Sequence, residues 1–301
     1  MNRPARSIEI FTMSALDLFI TAMGSFAVLM MILFPYFRKE HLTRVTNAPG
    51  NVLFCVWSTR VKDFEEFVRE VPDMKERGEE NRPGFFVQDN VWRNPGYEQK
   101  PDFPVVGITW LQAQAFCKWL TKKERTSGII GPQDEYRLPT DAEWTAAAGP
   151  DRFPWGNQWP PPPKSGNFAD ETWAHEMGYD HGPVIMQGYT DDHAMMAPVG
   201  SYAPNRFGLF DMAGNAAQWV QDKYKAGMMP PEILKKYPRL KLEKDEFGED
   251  LYVIRGSNWQ SYGDDLSSYW RLPATQTYHP DTSSFRCVLV VNSQPRSRPA
   301  P

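Results

Sequence analysis

Phe207-Gly-Leu-Phe-Asp-Met-Ala-Gly-Asn-Ala-Ala-Gln-Trp219 is the stretch whose reading decides the fold. Gly208 and Gly214 punctuate it and predict two tight backbone bends. Leu209, Phe210 and Met212 between them call for burial, while Asp211, Asn215 and Gln218 crowd oxygen donors into eight residues. Side-chain oxygens beside carbonyls freed by irregular backbone suit a hard cation. The same residues also suit a buried Asx-turn that satisfies its own amides. On spacing alone both readings stand.

Working outward, further motifs follow in order: Tyr136-Arg-Leu-Pro-Thr-Asp-Ala-Glu-Trp144, Phe153-Pro-Trp-Gly-Asn157, Ala197-Pro-Val-Gly-Ser-Tyr202, Arg255-Gly-Ser-Asn-Trp259 and Phe285-Arg-Cys287. With Gly208–Trp219 they resemble the "GLYDMxGNVWEW" signature and companion motifs of formylglycine-generating enzymes. That group includes sulfatase-modifying factors, the non-haem iron enzymes of ergothioneine synthesis and many non-catalytic modules. The resemblance covers roughly residues 50–292. It implies an α+β, C-type-lectin-like, loop-rich fold. It also implies two calcium sites: one from the Asn167 side chain, the Phe168 carbonyl, the Asp191 side chain and the His193 carbonyl; the other from Asp211, the Gly214 and Ala216 carbonyls, and Gln218. Glu is usual at the last position, and Gln there keeps an oxygen but loses a charge. Cys117 and Cys287 match positions that are disulfide-paired in secreted members.

The bulk properties agree with a large loop-rich domain plus an appendage. The chain has 301 residues, 11 Trp, 12 Tyr, 18 Phe, 27 Pro and 21 Gly, so aromatic packing rather than long helices is expected to cement it. A net charge of −4 carries no nucleic-acid footprint. Three cysteines, Cys55, Cys117 and Cys287, are too few for a disulfide scaffold and lack zinc spacing.

Leu18 to Phe37 is free of charge, and Asp17 is the only acid between Ile10 and Phe37. At about 1.5 Å per residue this run can cross a bilayer. It is too long for a usual signal-peptide core, and Phe37-Arg-Lys-Glu40 is no cleavage site, so an uncleaved anchor is expected. Ser14, Asp17, Thr21 and Gly24 share one helical face, where small and polar groups favour packing against protein. An intramembrane acid is a functional candidate; alternatively the helix begins near Asp17, which then sits at the interface. Residues 8–37 also resemble the single span of flagellar stator B and ExbD/TolR-type subunits. That likeness implies a homodimer inside a multi-span stator-A/ExbB-like partner, with Asp17 as proton carrier and Thr21 one turn on. It also implies a bacterial inner-membrane location with a cytoplasmic N-terminus and a periplasmic C-terminal domain. The expected division is 1–9 cytoplasmic, 10–37 transmembrane, 38–50 linker, 51–292 folded domain and 293–301 disordered tail.

Within the domain, Val52–Trp57 reads as a buried strand and Lys62–Val71 as an amphipathic helix. Thr109/Gln112 and Thr140/Glu143 read as capping boxes. Residues 225–250 read as a charged insertion, partly helical at 231–237.

The formylglycine enzymes hold copper with two cysteines just after their RGGSW motif. Here Ser261 and approximately Tyr269 fall there, and a serine is no soft Cu(I) ligand. No copper is therefore expected, and no catalytic residue is assigned. His175, Asp180, His181 and Asp191 could form a facial triad, or be ordinary loop residues. Tyr262, Asp264, Asp265, Tyr269, Tyr278 and His279 form a candidate surface for a peptide or glycan. Two function classes follow. One is an anchored, non-catalytic binding or sensing module, as the single-span subunit of an ion-driven motor. The other is a membrane-tethered metal-dependent enzyme.

Overall fold

The structure is a computed structural model that describes residues 42–45, 51–71, 91–178 and 185–292. The expected span at 10–37, Asp17, Thr21, Asp180, His181 and the tail at 293–301 lie outside the described residues. Among the described residues, no helix is long and apolar enough to cross a membrane.

Two four-stranded sheets organise the domain. The first runs β1 (Leu42–Arg44), β2 (Val52–Cys55), β8 (Val288–Val290), β3 (Glu135–Arg137), antiparallel throughout. The second runs β6 (Leu272–Thr275), β5 (Leu251–Arg255), β4 (Ala217–Lys223), β7 (Ser283–Phe285), with β4 and β7 parallel. The expected linker at 38–50 needs correction. Leu42 pairs with Cys55 and Arg44 with Leu53, and Val45 is buried. Three residues are too short a run for alternation to register as a strand in sequence.

Among the described residues there are five α-helices: α1 (Val61–Glu70), α2 (Trp110–Thr126), α3 (Asp141–Ala148), α4 (Glu171–Glu176) and α5 (Pro231–Lys236). Both capping boxes form. Thr109 Oγ1 accepts from Gln112 N at 3.1 Å while Gln112 Oε1 accepts from Thr109 N at 2.8 Å. Thr140 and Glu143 repeat the exchange at 3.2 and 2.8 Å. Glu143 also accepts both Arg137 amino groups at 2.7 Å, clamping α3 to β3.

The aromatic cement is present. Phe64, Phe67, Phe116 and Phe285 lie in one core, with the rings of Phe116 and Phe285 5.2 Å apart. A second core gathers Trp144, Val220, Val253 and Val288 with Met229, Ile233 and Leu240. Those last three come from residues 225–250, so this charged segment, with its helix at 231–236, contributes to the core. A third cluster, with Phe153, Phe168, Tyr189 and Leu266, lies under the irregular loops.

Candidate functional site

The signature stretch folds as a string of left-handed residues: Gly208 at φ 78°, Asp211 at 54°, Gly214 at 76° and Asn215 at 59°. The glycines give two of these bends; Asp and Asn supply the others because their short polar side chains tolerate that region. Gly214 is sterically required, since a Cβ there would meet the Phe168 ring at 2.6 Å. The polar side chains find partners outside the turn. Asn215 exchanges hydrogen bonds with Ala197, accepting from its N–H at 3.0 Å and donating to its carbonyl at 3.1 Å. Gln218 Oε1 accepts from Trp144 Nε1 at 3.0 Å and from Arg286 Nε at 2.7 Å, while Gln218 Nε2 donates to the Asp211 carbonyl at 2.7 Å.

The two calcium ligand sets therefore differ. In the first, Asn167 Nδ2 donates to the Met195 carbonyl at 2.5 Å, but Asn167 Oδ1 is buried with no partner. Asp191 accepts from Phe168 N at 2.8 Å and His193 N at 3.0 Å. Burial, with the neighbouring Asp170 charge, pushes its carboxyl up to about 7 despite those bonds. An orphaned amide oxygen beside a carboxylate lacking a counter-charge is the environment a cation relieves, so these residues fit an ion. In the second set, Asp211 accepts from Gly200 N at 3.1 Å and leaves Oδ1 unpaired. Gln218, however, has no oxygen to give, because its single carbonyl oxygen already serves two donors. The reading of Gln218 as a ligand does not fit.

A cleft of about 390 Å³ opens beside this network. Its floor is Ala217, Ile254 and Leu272 from three neighbouring strands. One wall is the Ser257–Asp265 loop, and the other is Lys236, Tyr237, Arg239 and Leu240. Ser261, where the copper pair would begin, is buried in the loop wall, and its Oγ accepts from Asn258 N at 3.1 Å. No cysteine lines the cleft among the described residues. Tyr262 is 39 % exposed at its rim. Lys236 Nζ binds Asp264 at 2.6 Å and the Tyr237 hydroxyl donates to the same oxygen at 3.3 Å. Asp265 lines the same cavity. Burial and then the adjacent Asp264 charge push its carboxyl up to about 6.

Of the six expected surface residues, the structure brings Tyr262, Asp264 and Asp265 to this cleft. Tyr269 instead packs on the second core. Tyr278 and His279 lie outside the cleft lining, on the chain after β6, where His279 Nδ1 contacts the Thr277 carbonyl at 2.9 Å. The basic wall at Lys236 and Arg239 was not anticipated. The available signal was Pro231 opening a helix with Ile233 and Leu240 as buried anchors.

The facial triad does not assemble among its described members. His175 is 88 % exposed on its side chain, whereas Asp191 is buried. Cys117 on α2 and Cys287 between β7 and β8 meet in the core as free thiols, sulphur atoms 3.4 Å apart.

This fold and ordered motif set define a known class: the Sulfatase-modifying factor enzyme 1-like domain matches residues 53–291, and the chain belongs to that family. Among its relatives, the chain is 31 % identical over 222 residues to the formylglycine-generating enzyme of Thermomonospora curvata, covering 67 % of this chain and 62 % of that protein. It is 27 % identical over 217 residues to the inactive C-alpha-formylglycine-generating enzyme 2 of Bos taurus, covering 67 % and 57 %. It is 30 % identical over 265 residues to the serine/threonine-protein kinase pkn1 of Chlamydia pneumoniae, covering 87 % of this chain but only 34 % of the kinase. The chain thus spans less than two thirds of each of these relatives. PvdO from Pseudomonas aeruginosa shares the fold, with a TM-score of 0.51, 22 % identity and 80 % of each chain covered. The family holds proteins named as enzymes and proteins named as inactive.

Proposed function

We propose that residues 51–292 are a non-catalytic recognition module that binds a peptide in the cleft between Lys236–Leu240 and Ser257–Asp265. The observation that carries this reading is Ser261. A hydroxyl, already engaged as an acceptor, stands where the copper chemistry of the family would begin with a thiolate. The relative named as inactive keeps such a role within the family's range. The cleft offers an exposed aromatic, Tyr262, and a carboxylate, Asp265, that no hydrogen bond among the described residues engages. These suit a peptide carrying a basic group. One calcium ion, held by Asn167, Phe168, Asp191 and His193, would brace the loop under the cleft, where Ala169 N donates to the Ser261 carbonyl at 3.1 Å.

The test uses the full chain in detergent with a basic peptide library and a glycan array. Peptide binding that drops at least tenfold in Tyr262→Ala and in Asp265→Asn is expected. Conversion of a cysteine peptide to its aldehyde in the presence of copper, or binding confined to glycans, would overturn the reading.

Residues 10–37 supply the finer part of the proposal. They anchor the module in an inner membrane, as a homodimer within a multi-span stator-A/ExbB-like partner, and Asp17 carries protons. This rests on the Ser14–Asp17–Thr21–Gly24 face together with the stator-like sequence of residues 8–37. Asp17→Asn should preserve expression and assembly yet abolish activity driven by the proton-motive force. Full activity of that variant, or replacement of 8–37 by a generic span without loss, would leave only a tether.

A further inference from the structure

We infer that the second of the two calcium positions is closed to a divalent ion in this chain, because the Gln218 amide turns an N–H toward it where the family pattern has a carboxylate. The argument starts from donor and acceptor capacity. Trp144 Nε1 and Arg286 Nε can only donate, and both point at one end of Gln218, at 3.0 and 2.7 Å. That end must be the oxygen; turning the amide over would face N–H against N–H twice. The nitrogen end therefore faces the signature turn, where it donates to the Asp211 carbonyl at 2.7 Å. Calcium binds through oxygen, so this N–H presents a donor where the family pattern supplies a carboxylate oxygen.

Charge leads to the same result. The Arg286 guanidinium is fully buried and donates to the carbonyls of Cys55 at 3.1 Å, Val56 at 3.3 Å and Phe210 at 2.6 Å. None of its hydrogen bonds reaches a carboxylate. Asp211 is the acid whose charge it feels most. One cation and one anion balance here without an ion. A divalent ion would leave two positive charges uncompensated among largely buried groups, which is costly. The guanidinium also ties the carbonyls of the turn to those at the end of β2. The orphaned Asp211 Oδ1 then marks what Gln218→Glu would complete, since a glutamate keeps one oxygen for Trp144 and Arg286 and turns the other toward the turn.

Calcium titration of the full chain by calorimetry tests this inference, with circular dichroism to confirm folding. One ion per wild-type chain is expected, none in Asp191→Asn, and two in Gln218→Glu. Two ions per wild-type chain, an ion retained by folded Asp191→Asn, or a folded Gln218→Glu that gains none would overturn it. If Asp191→Asn does not fold, Gln218→Glu decides: a second ion gained by the folded variant upholds the closure, and none gained overturns it. A wild-type chain that binds no ion would remove the ion proposed at Asn167 and Asp191 yet uphold closure of the second position.

Discussion

Asp141 illustrates how much rests on single buried charges. Its carboxylate takes Arg271 at 2.9 and 2.7 Å and also binds Arg255, which stacks over the Trp144 ring at 4.2 Å. Burial alone would raise this carboxyl, but the Arg255 charge and the Arg271 hydrogen bond and charge outweigh it and hold it below the usual range. Asp141→Ala strands two buried guanidinium groups and should cost about 3–5 kcal/mol in denaturant unfolding. Because the folded pKa is lowered, this stabilisation is present above about pH 4 and is lost as pH falls through the folded value. Asp265 has the opposite sign. Its carboxyl, raised to about 6, holds a proton in the folded state that the unfolded chain has released. Stability should therefore decline as pH rises from about 4 to 6, while affinity for a basic peptide climbs over the same window as the carboxylate ionises. An Asp265→Asn chain should show a shallower stability decline by thermal melting, Asp191 keeping its own share, and no affinity trend by peptide titration. At this scale the sequence was partly legible. The motifs bring out Asn167, Asp191 and Asp211, but the use of Gln218 depends on Arg286, 68 residues away, and no local pattern announces that pairing.

Among elements, the signature turn separates two kinds of glycine. Gly208 and Gly214 both have positive φ, at 78° and 76°, but a Cβ on Gly208 would meet open space while one on Gly214 would strike Phe168 and the Asn167 carbonyl. Gly208→Ala should cost only the backbone preference, about 1 kcal/mol. Gly214→Ala should add overpacking of about 1–3 kcal/mol and melt well below it. Equal melting temperatures for the two variants would show that the Phe168 contact yields freely. Helix starts were readable because a capping box lies within four residues. The 225–250 segment was harder to read because its anchors, Met229, Ile233 and Leu240, are spaced across turns and short helices among lysines and glutamates. A strand of three residues, as at Leu42–Arg44, falls below what periodicity can reveal.

For the whole molecule, Cys117 and Cys287 offer a covalent brace between α2 and the segment joining the two sheets. We expect them to be disulfide-bonded when the chain matures in an oxidising compartment, closing a loop of 170 residues worth about 4–5 kcal/mol in the chain-entropy model. Mass spectrometry without reduction should recover the linked peptides; alkylation of both thiols in periplasmic material would reject the bond. Chelation provides a second global test. Removing the ion proposed at Asn167 and Asp191 should lower the melting temperature and weaken peptide binding together, because Ala169 N joins that loop to the Ser261 carbonyl. An unchanged melting temperature in chelator would remove the ion from this loop.

β7 and β8 are the last strands among the described residues, and only Arg286 and Cys287 separate them. β7 completes one sheet beside β4, while β8 fills the gap between β2 and β3 in the other. During synthesis neither sheet can be finished until these residues leave the ribosome. Until then β2 and β3 lack the strand that joins them, and the carbonyls at Cys55 and Phe210 await their arginine. Closure of both sheets therefore waits on residues 283–290, and the open edges of β2 and β3 need protection until that segment has been made.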